Sequence, residues 1–143
     1  MSFSEEYGDL FDIENDYALA HSVGSDFIMG NGISFEFKKR YGNEDWLLQN
    51  SEGVGTSLLL PKEVVGKNIF YLITKKWSRY SKPEYIDIKN SIINMFELAK
   101  ENNITKIAMP KIGCGLDGLD WDIIKNYIIK YIPDSIHVCV KYI

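Results

Sequence analysis

Residues 107–117 read Ile107-Ala108-Met109-Pro110-Lys111-Ile112-Gly113-Cys114-Gly115-Leu116-Asp117. An apolar run stops at a proline and opens into glycines closed by a carboxylate, which predicts a buried strand feeding a loop. Gly113 and Gly115 carry no Cβ, so the backbone there is free to take positive φ and to approach a ligand closely. Successive N–H groups in such a loop can cradle a diphosphate. Beyond it, Leu119, Ile123, Ile124, Tyr127, Ile128 and Tyr131 recur at the spacing of one helix face. The spacing predicts a helix opening at about Leu119, with its N-terminus near the loop, where anions are favoured. A bland strand-to-helix turn fits the same residues, so the rest of the chain has to decide.

The remainder alternates in type. Residues 17–23 read as a strand ending in polar and glycine residues, and residues 32–41 as a helix closed by Gly42. Residues 56–60 and 68–74 are two further strand candidates, separated by a turn around Pro61 and Gly66. A long helix follows over about residues 83–102, with Tyr85, Ile88, Ile92, Met95, Phe96 and Ala99 as its core stripe. Strand 104–109, the glycine loop, the second helix and a last strand over 136–143 complete the pattern. It predicts a single α/β domain over residues 1–143, a three-layer α/β/α sandwich. Ligands collect at the carboxyl ends of strands in such sheets. Three loops fall there: Gly8 to Phe11, Met29 to Ile33, and Ile112 to Asp117. Two glycine-rich loops, each preceding a helix, can hold two phosphates from opposite sides. Gly30 and Gly32 lack the third glycine of a nicotinamide-cofactor fingerprint, and neither loop ends in Gly-Lys-Ser/Thr as a P-loop does.

Bulk properties narrow the classes. The chain of 143 residues carries a net charge of -4, which argues against broad nonspecific nucleic-acid binding. Lys38-Lys39-Arg40, and Lys75-Lys76 with Arg79 and Lys82, are basic clusters whose default reading is mostly solvated surface, with Lys75 the exception. The acidic start Met1-Ser2-Phe3-Ser4-Glu5-Glu6 has no apolar core, and no apolar run approaches a membrane span, so a cytoplasmic protein without membrane contact is expected. Cys114 and Cys139, with His21 and His137, form no ligand-like spacing, so neither a disulfide, a metal nor a cofactor is expected.

Gly8-Asp9-Leu10-Phe11, Leu19-Ala20-His21, Met29-Gly30-Asn31-Gly32-Ile33, Tyr71 to Lys76, and Pro110 to Asp117 together resemble a known family. In the same order along nearly the whole chain, they are similar to a macrodomain of the terminal ADP-ribose protein glycohydrolase branch. Thr74-Lys75-Lys76 followed by Gly-Cys-Gly-Leu-Asp is the specific part of the match. The resemblance implies a macrodomain fold with a mixed central sheet and an ADP-ribose cleft at the strand ends. It implies that Asp9 reads the adenine amino group, that the backbone at Leu10 contacts the ring, and that Ile143 flanks it. It implies that Met29, Gly30, Gly32 and Ile33, with Pro110, Lys111, Ile112, Gly113, Cys114, Gly115 and Leu116, wrap the diphosphate and distal ribose. Thr74 and His21 fall beside them. Lys75 matches the family's nucleophile and Asp117 its acid/base. The short N-terminus before Gly8 suggests an abbreviated first strand.

The chemistry of that pair can be weighed without the family. A lysine attacks an anomeric carbon only as the neutral amine, and an unperturbed lysine near pKa 10.4 is neutral about once in a thousand at neutral pH. Burial or a neighbouring cation has to lower that value, while a carboxylate can move the protons. Spacing alone leaves open a solvated lysine at a strand end and an aspartate that caps the following helix. His21 reads first as a satisfied core histidine. The expectation is an ADP-ribosyl hydrolase, acting as a monomer on ADP-ribosylated protein or DNA. A noncatalytic ADP-ribose reader, an O-acetyl-ADP-ribose deacetylase and an ADP-ribose 1''-phosphate phosphatase are the alternatives. Trp77, Arg79 and Tyr80, just after the candidate nucleophile, mark where an attached macromolecule would lie, since an aromatic beside a cation can stack a nucleobase.

Overall fold

Residues 2–143 are described by a computed structural model, so Met1, the first residue of the predicted domain, lies outside the described residues. Six strands, β1 (Phe3–Tyr7), β2 (Ala18–Gly24), β3 (Ser57–Leu60), β4 (Ile69–Lys75), β5 (Lys106–Met109) and β6 (His137–Tyr142), form one sheet in the order β1-β6-β5-β2-β4-β3. All neighbours run parallel except β3, which pairs antiparallel with β4 at one edge. The sheet is mixed, as expected.

Strand side chains alternate between two faces, and here both faces are buried. On one, Ala18, Ala20, Phe70, Leu72, Ile107, Met109, Val138 and Val140 pack against α4 (Tyr85–Glu101) and α5 (Trp121–Tyr131). The contact is made by Ile88, Ile92, Met95, Phe96 and Ala99 of the first helix and Ile124 and Ile128 of the second. On the other face Leu19, Ile69, Tyr71, Ile73, Ala108 and Cys139 pack against Phe37 of α1 (Gly32–Tyr41) and Leu47 of α2 (Glu44–Asn50). The result is the three-layer α/β/α sandwich.

Several boundaries differ from the sequence reading. The long helix starts at Tyr85 rather than 83. The last helix starts at Trp121 rather than Leu119, because Asp120 is the N-cap, its carboxylate accepting the Asp122 N–H at 2.9 Å. The last strand candidate is shortened to His137–Tyr142, and β4 runs on through Lys75. Two short helices escaped the periodicity. In α2 a single buried residue, Leu47, faces the core, and α3 (Lys62–Val65) has no buried residue.

The first strand is five residues long and paired along its whole length, Phe3 opposite Val138 through Tyr7 opposite Tyr142. An edge strand this short needs tethering, and α5 supplies it. Trp121 Nε1 donates to Glu5 Oε1 at 2.6 Å and Lys125 Nζ to Glu5 Oε2 at 2.8 Å. These two donors, Lys125 foremost, hold the Glu5 carboxyl below its ordinary range. The tether fixes the strand that delivers the loop at Gly8 and Asp9. Glu5→Ala removes both hydrogen bonds and is expected to lower the unfolding free energy by about 1 kcal/mol. A urea titration should show a lower midpoint at unchanged slope.

Candidate active site

The parallel β2–β4 ladder carries an irregularity at the end that matters. Val23 pairs with Ile73, but Gly24 pairs with Lys75, so the register shifts and Thr74 has no residue opposite it. A bulge bends a strand and re-aims the side chain beside it. Thr74 is buried and its hydroxyl donates to the Val23 carbonyl at 3.5 Å. The side chain that follows is Lys75. Its Nζ lies 2.7 Å from Asp117 Oδ1, in an ion pair whose side chains are 13% and 19% exposed. Asp117 is not a helix cap, since Asp120 fills that role, and its carboxylate is left for the lysine.

The loop carrying Asp117 turns at Gly113, whose φ of +74° favours glycine. A Cβ there would also lie 3.2 Å from the tips of Ile124 and Ile88. Gly115 does not share this conformation: its φ is not positive and nothing lies within 4 Å of a Cβ built on it, so only Gly113 uses the freedom expected of both. On the opposite wall, the residues between β2 and α1 are latched to the segment after β4. Ser25 N donates to the Lys75 carbonyl at 2.9 Å and Ser25 Oγ to the Lys76 carbonyl at 2.6 Å. Asp26 accepts from Ser78 N at 2.9 Å and from the Ser78 hydroxyl. Burial alone would raise the Asp26 carboxyl, but these bonds and that from Ile28 N outweigh it and hold the carboxyl below its ordinary range. The latch holds a loop in which Phe27 and Met29 both take positive φ, 51° and 49°, strained for side-chain-bearing residues.

Between these loops runs a cleft of two adjoining cavities, about 630 and about 490 Å³. Ile33, Pro110, Lys111 and Gly115 line both, so the two adjoin along a shared wall. The larger holds Thr74, Lys75 and Asp117 between Met29, Gly30, Gly32 and Ile33 on one side and Ile112, Gly113 and Leu116 on the other. The smaller holds Asp9, Leu10, Phe11, Cys114 and Ile143. Asp9 Oδ1 accepts the Phe11 N–H at 2.9 Å, which fixes the carboxylate at the cavity edge. The lining is basic. Lys75, Arg79, Lys82, Lys111, Arg40 and Lys141 stand against the carboxylates Asp117, Asp9 and Glu36, six cations to three anions in a chain of net charge -4. Arg40, read from sequence as solvated surface, lies 4.1 Å from the Phe11 ring centre.

His21, expected among the ligand contacts, is fully buried and lines neither cavity. Its ring stacks on Phe37 at 3.8 Å between centroids and meets Tyr71 edge-on. It reaches the cleft through a neighbour, because Nδ1 lies 3.0 Å from Ser34 Oγ, and Ser34 lines the larger cavity. Ser34 Oγ donates its proton to the Ser22 carbonyl at 3.1 Å, so the hydrogen of the first bond sits on Nδ1. Burial pushes the imidazole down to about 3. Ser34, Ser78 and Asp26 are the residues sequence reasoning missed. Serine hydroxyls and a lone aspartate in a loop carry no spacing signal.

A family model for the Macro domain matches residues 20–128. The chain belongs to the macrodomain family. ADP-ribose glycohydrolase OARD1 of Homo sapiens is 39% identical over 115 residues, 80% of this macrodomain and 74% of that protein. The DNA ADP-ribosyl glycohydrolase of Mycobacterium tuberculosis (strain ATCC 25618 / H37Rv) is 30% identical over 138 residues, 89% of this chain but 38% of the longer relative. The solved macrodomain of Thermus aquaticus DarG matches with a TM-score of 0.87, over 99% of this chain and 98% of that one. At 21% identity that likeness is one of fold.

Two outcomes follow from the latch and the histidine. Gly24→Ala would set a Cβ 2.6 Å from Ser78 Oγ and 2.8 Å from Ser78 N. It is expected to cost about 1–3 kcal/mol in thermal unfolding and to speed amide exchange over residues 76–82. His21 gives the macrodomain a pH dependence of fixed sign. The unfolded chain protonates the imidazole near 6.5 and the folded chain only near 3, so its contribution is complete above 6.5 and is lost as pH falls between those values. His21→Asn keeps an Nδ1-like donor and does not titrate. Its stability should fall less steeply over that window, by up to about 1.4 kcal/mol per pH unit, in denaturant titrations at stepped pH.

Proposed function

We propose that this macrodomain is an ADP-ribosyl glycohydrolase that removes single ADP-ribose groups from macromolecules, with a protein carboxylate or a DNA base as the site of attachment. The observation that carries the reading is the Lys75–Asp117 pair at 2.7 Å in the wall of a long basic cleft. The cleft supports a ligand with two negative charges between two ring systems. The excess of cations in the lining favours a diphosphate, and Ile33, Pro110, Lys111 and Gly115 stand where the two compartments adjoin. The adenine belongs in the compartment of Asp9, Leu10 and Ile143. The distal ribose belongs beside Lys75.

A direct hydrogen bond from ammonium to carboxylate lets one proton pass from Nζ to Asp117. The neutral amine then attacks the anomeric carbon of the distal ribose. A carbon–nitrogen bond forms as the bond to the macromolecule breaks, and the departing oxygen or nitrogen takes the electron pair and the proton from Asp117. The ribose remains on Nζ as an opened-ring adduct, and one water releases it as ADP-ribose and restores the lysine. The balance is hydrolysis, with water the one co-reactant.

Relatives in the same family support the reading, two of them bearing glycohydrolase names. The test is release of ADP-ribose from glutamate-ADP-ribosylated protein and from ADP-ribosylated DNA. ADP-ribose should raise the melting temperature, as any ligand preferring the folded state must. Lys75→Ala and Asp117→Ala should each lower turnover about 10²–10⁴-fold while keeping that shift. Binding without release by wild type would make the chain a reader. Action on O-acetyl-ADP-ribose or ADP-ribose 1''-phosphate alone would assign the same pocket to a small-molecule esterase or phosphatase. Unchanged turnover by Lys75→Ala would remove the lysine from the mechanism.

A further inference from the structure

Between the end of β4 and Glu84 the chain reads Lys76-Trp77-Ser78-Arg79-Tyr80-Ser81-Lys82-Pro83, with three cations, two large aromatics and no carboxylate. The segment is a closed turn. Trp77 N donates to Ser81 Oγ at 3.1 Å, Ser81 N returns a bond to the Trp77 carbonyl at 3.2 Å, and Asp26 holds Ser78. Arg79 and Lys82 line the larger cavity, whereas Trp77 and Tyr80 do not and remain 49% and 85% exposed. Lys76 Nζ sits 5.4 Å from the Trp77 ring centre. Among the described residues, none of these three cations forms an ion pair, although Lys75, Lys106, Lys125 and Lys141 all do. The rings are thus exposed beside cations that carry no ion pair, on an anchored turn at the rim of the cleft.

We infer that Trp77 and Tyr80, framed by Lys76, Arg79 and Lys82, form a platform on which the bases of a single-stranded nucleic acid stack while its ADP-ribosylated nucleotide occupies the cleft. The inference rests on the hydrolase reading above and names the substrate class for that site. Stacking on aromatics beside cations is how single strands are held without sequence preference. An acidic peptide would satisfy the cations and leave both rings unused. The strand has to be single or opened at this point, because Lys75 is only 13% exposed and the bond it attacks must enter the cleft, which a base stacked inside a duplex cannot do.

The test compares wild type, Trp77→Ala, Trp77→Ala/Tyr80→Ala and Trp77→Phe on three substrates. These are an ADP-ribosylated single-stranded oligonucleotide, the same modified base as a lone nucleoside, and a glutamate-ADP-ribosylated peptide. The double variant should lose about tenfold or more in kcat/KM on the oligonucleotide, chiefly through KM. It should change less than twofold on the nucleoside and the peptide, and Trp77→Phe should recover most of the loss. An equal fall on all three substrates, or no fall on the oligonucleotide, overturns the platform. A fall confined to the peptide assigns the rim to protein and overturns it as well. Fluorescence anisotropy of an unmodified labelled oligonucleotide separates this inference from the reading beneath it. Salt-dependent binding lost in the double variant upholds the platform even where no substrate is hydrolysed; hydrolysis with no such binding removes the platform and leaves the hydrolase.

Discussion

The site depends on how β2 and β4 pair. Their ladder is regular from Leu19 opposite Ile69 to Val23 opposite Ile73, and both strands are buried over that stretch except at Ser22, which is half-buried. Burial on both faces fixes register strongly, because a slip of one residue would exchange Tyr71 and Ile73 with Phe70 and Leu72 across the sheet. The irregularity appears only after the last buried apolar pair, at Gly24 and Lys75. There the main chains are held by Ser25 and Asp26 instead of by packing. A rigid ladder thus ends in a polar latch, and the lysine stands at the junction. The loop after β5 that brings Asp117 is set at Gly113, where a Cβ would meet Ile88 and Ile124, from the two helices that cover that sheet face, and Leu119 of the loop itself. The distance within the pair is therefore fixed by the core on one side and the latch on the other.

Charge is arranged against the average of the chain. A net charge of -4 disfavours anionic partners in general, yet the cleft gathers six cations on its walls. Lys38, Lys39 and Arg40 illustrate the sorting. Lys38 donates to the Ile28 carbonyl at 3.2 Å, Lys39 and Arg40 pair with Glu36, and Arg40 covers Phe11. They close the last turn of α1, where cations suit the helix dipole, and Arg40 faces the smaller cavity as well. Surface pairs of this exposure contribute little to stability. Their weight is in shaping a local field.

What the sequence made legible follows from the range of the signals. The two-sided burial of β4 and the 3.6-residue stripe of α4 are long and periodic, so the sandwich and its layers can be read from them. The glycine loops announce themselves through residue type, and the cleft lies between them. The pairing of Lys75 with Asp117 was a family expectation, because no spacing rule connects residues 42 apart. His21 shows the limit. A histidine in an apolar strand reads as either ligand contact or core, and only the positions of Phe37 and Ser34 place it beneath the wall. Asp26 and Ser78, which hold the latch across 52 residues, were illegible for the same reason.

The hydrolase reading has to reconcile a contact ion pair with a neutral nucleophile. With side chains 13% and 19% exposed in the cleft wall, the ammonium and the carboxylate both keep partial hydration. Covering that pair with a ribose takes two charges out of water, which is costly unless they neutralise one another. Moving one proton across the 2.7 Å hydrogen bond removes both charges at once and leaves the amine directed at the group that displaced the water. On the proposed mechanism, occupancy of the distal compartment is then the event that turns the ion pair into an amine and an acid. Such coupling needs a pair that is partly exposed beforehand, which the 13% and 19% exposures provide. A fully buried pair would leave nothing for the substrate to desolvate, and a fully exposed one would stay wet beneath it.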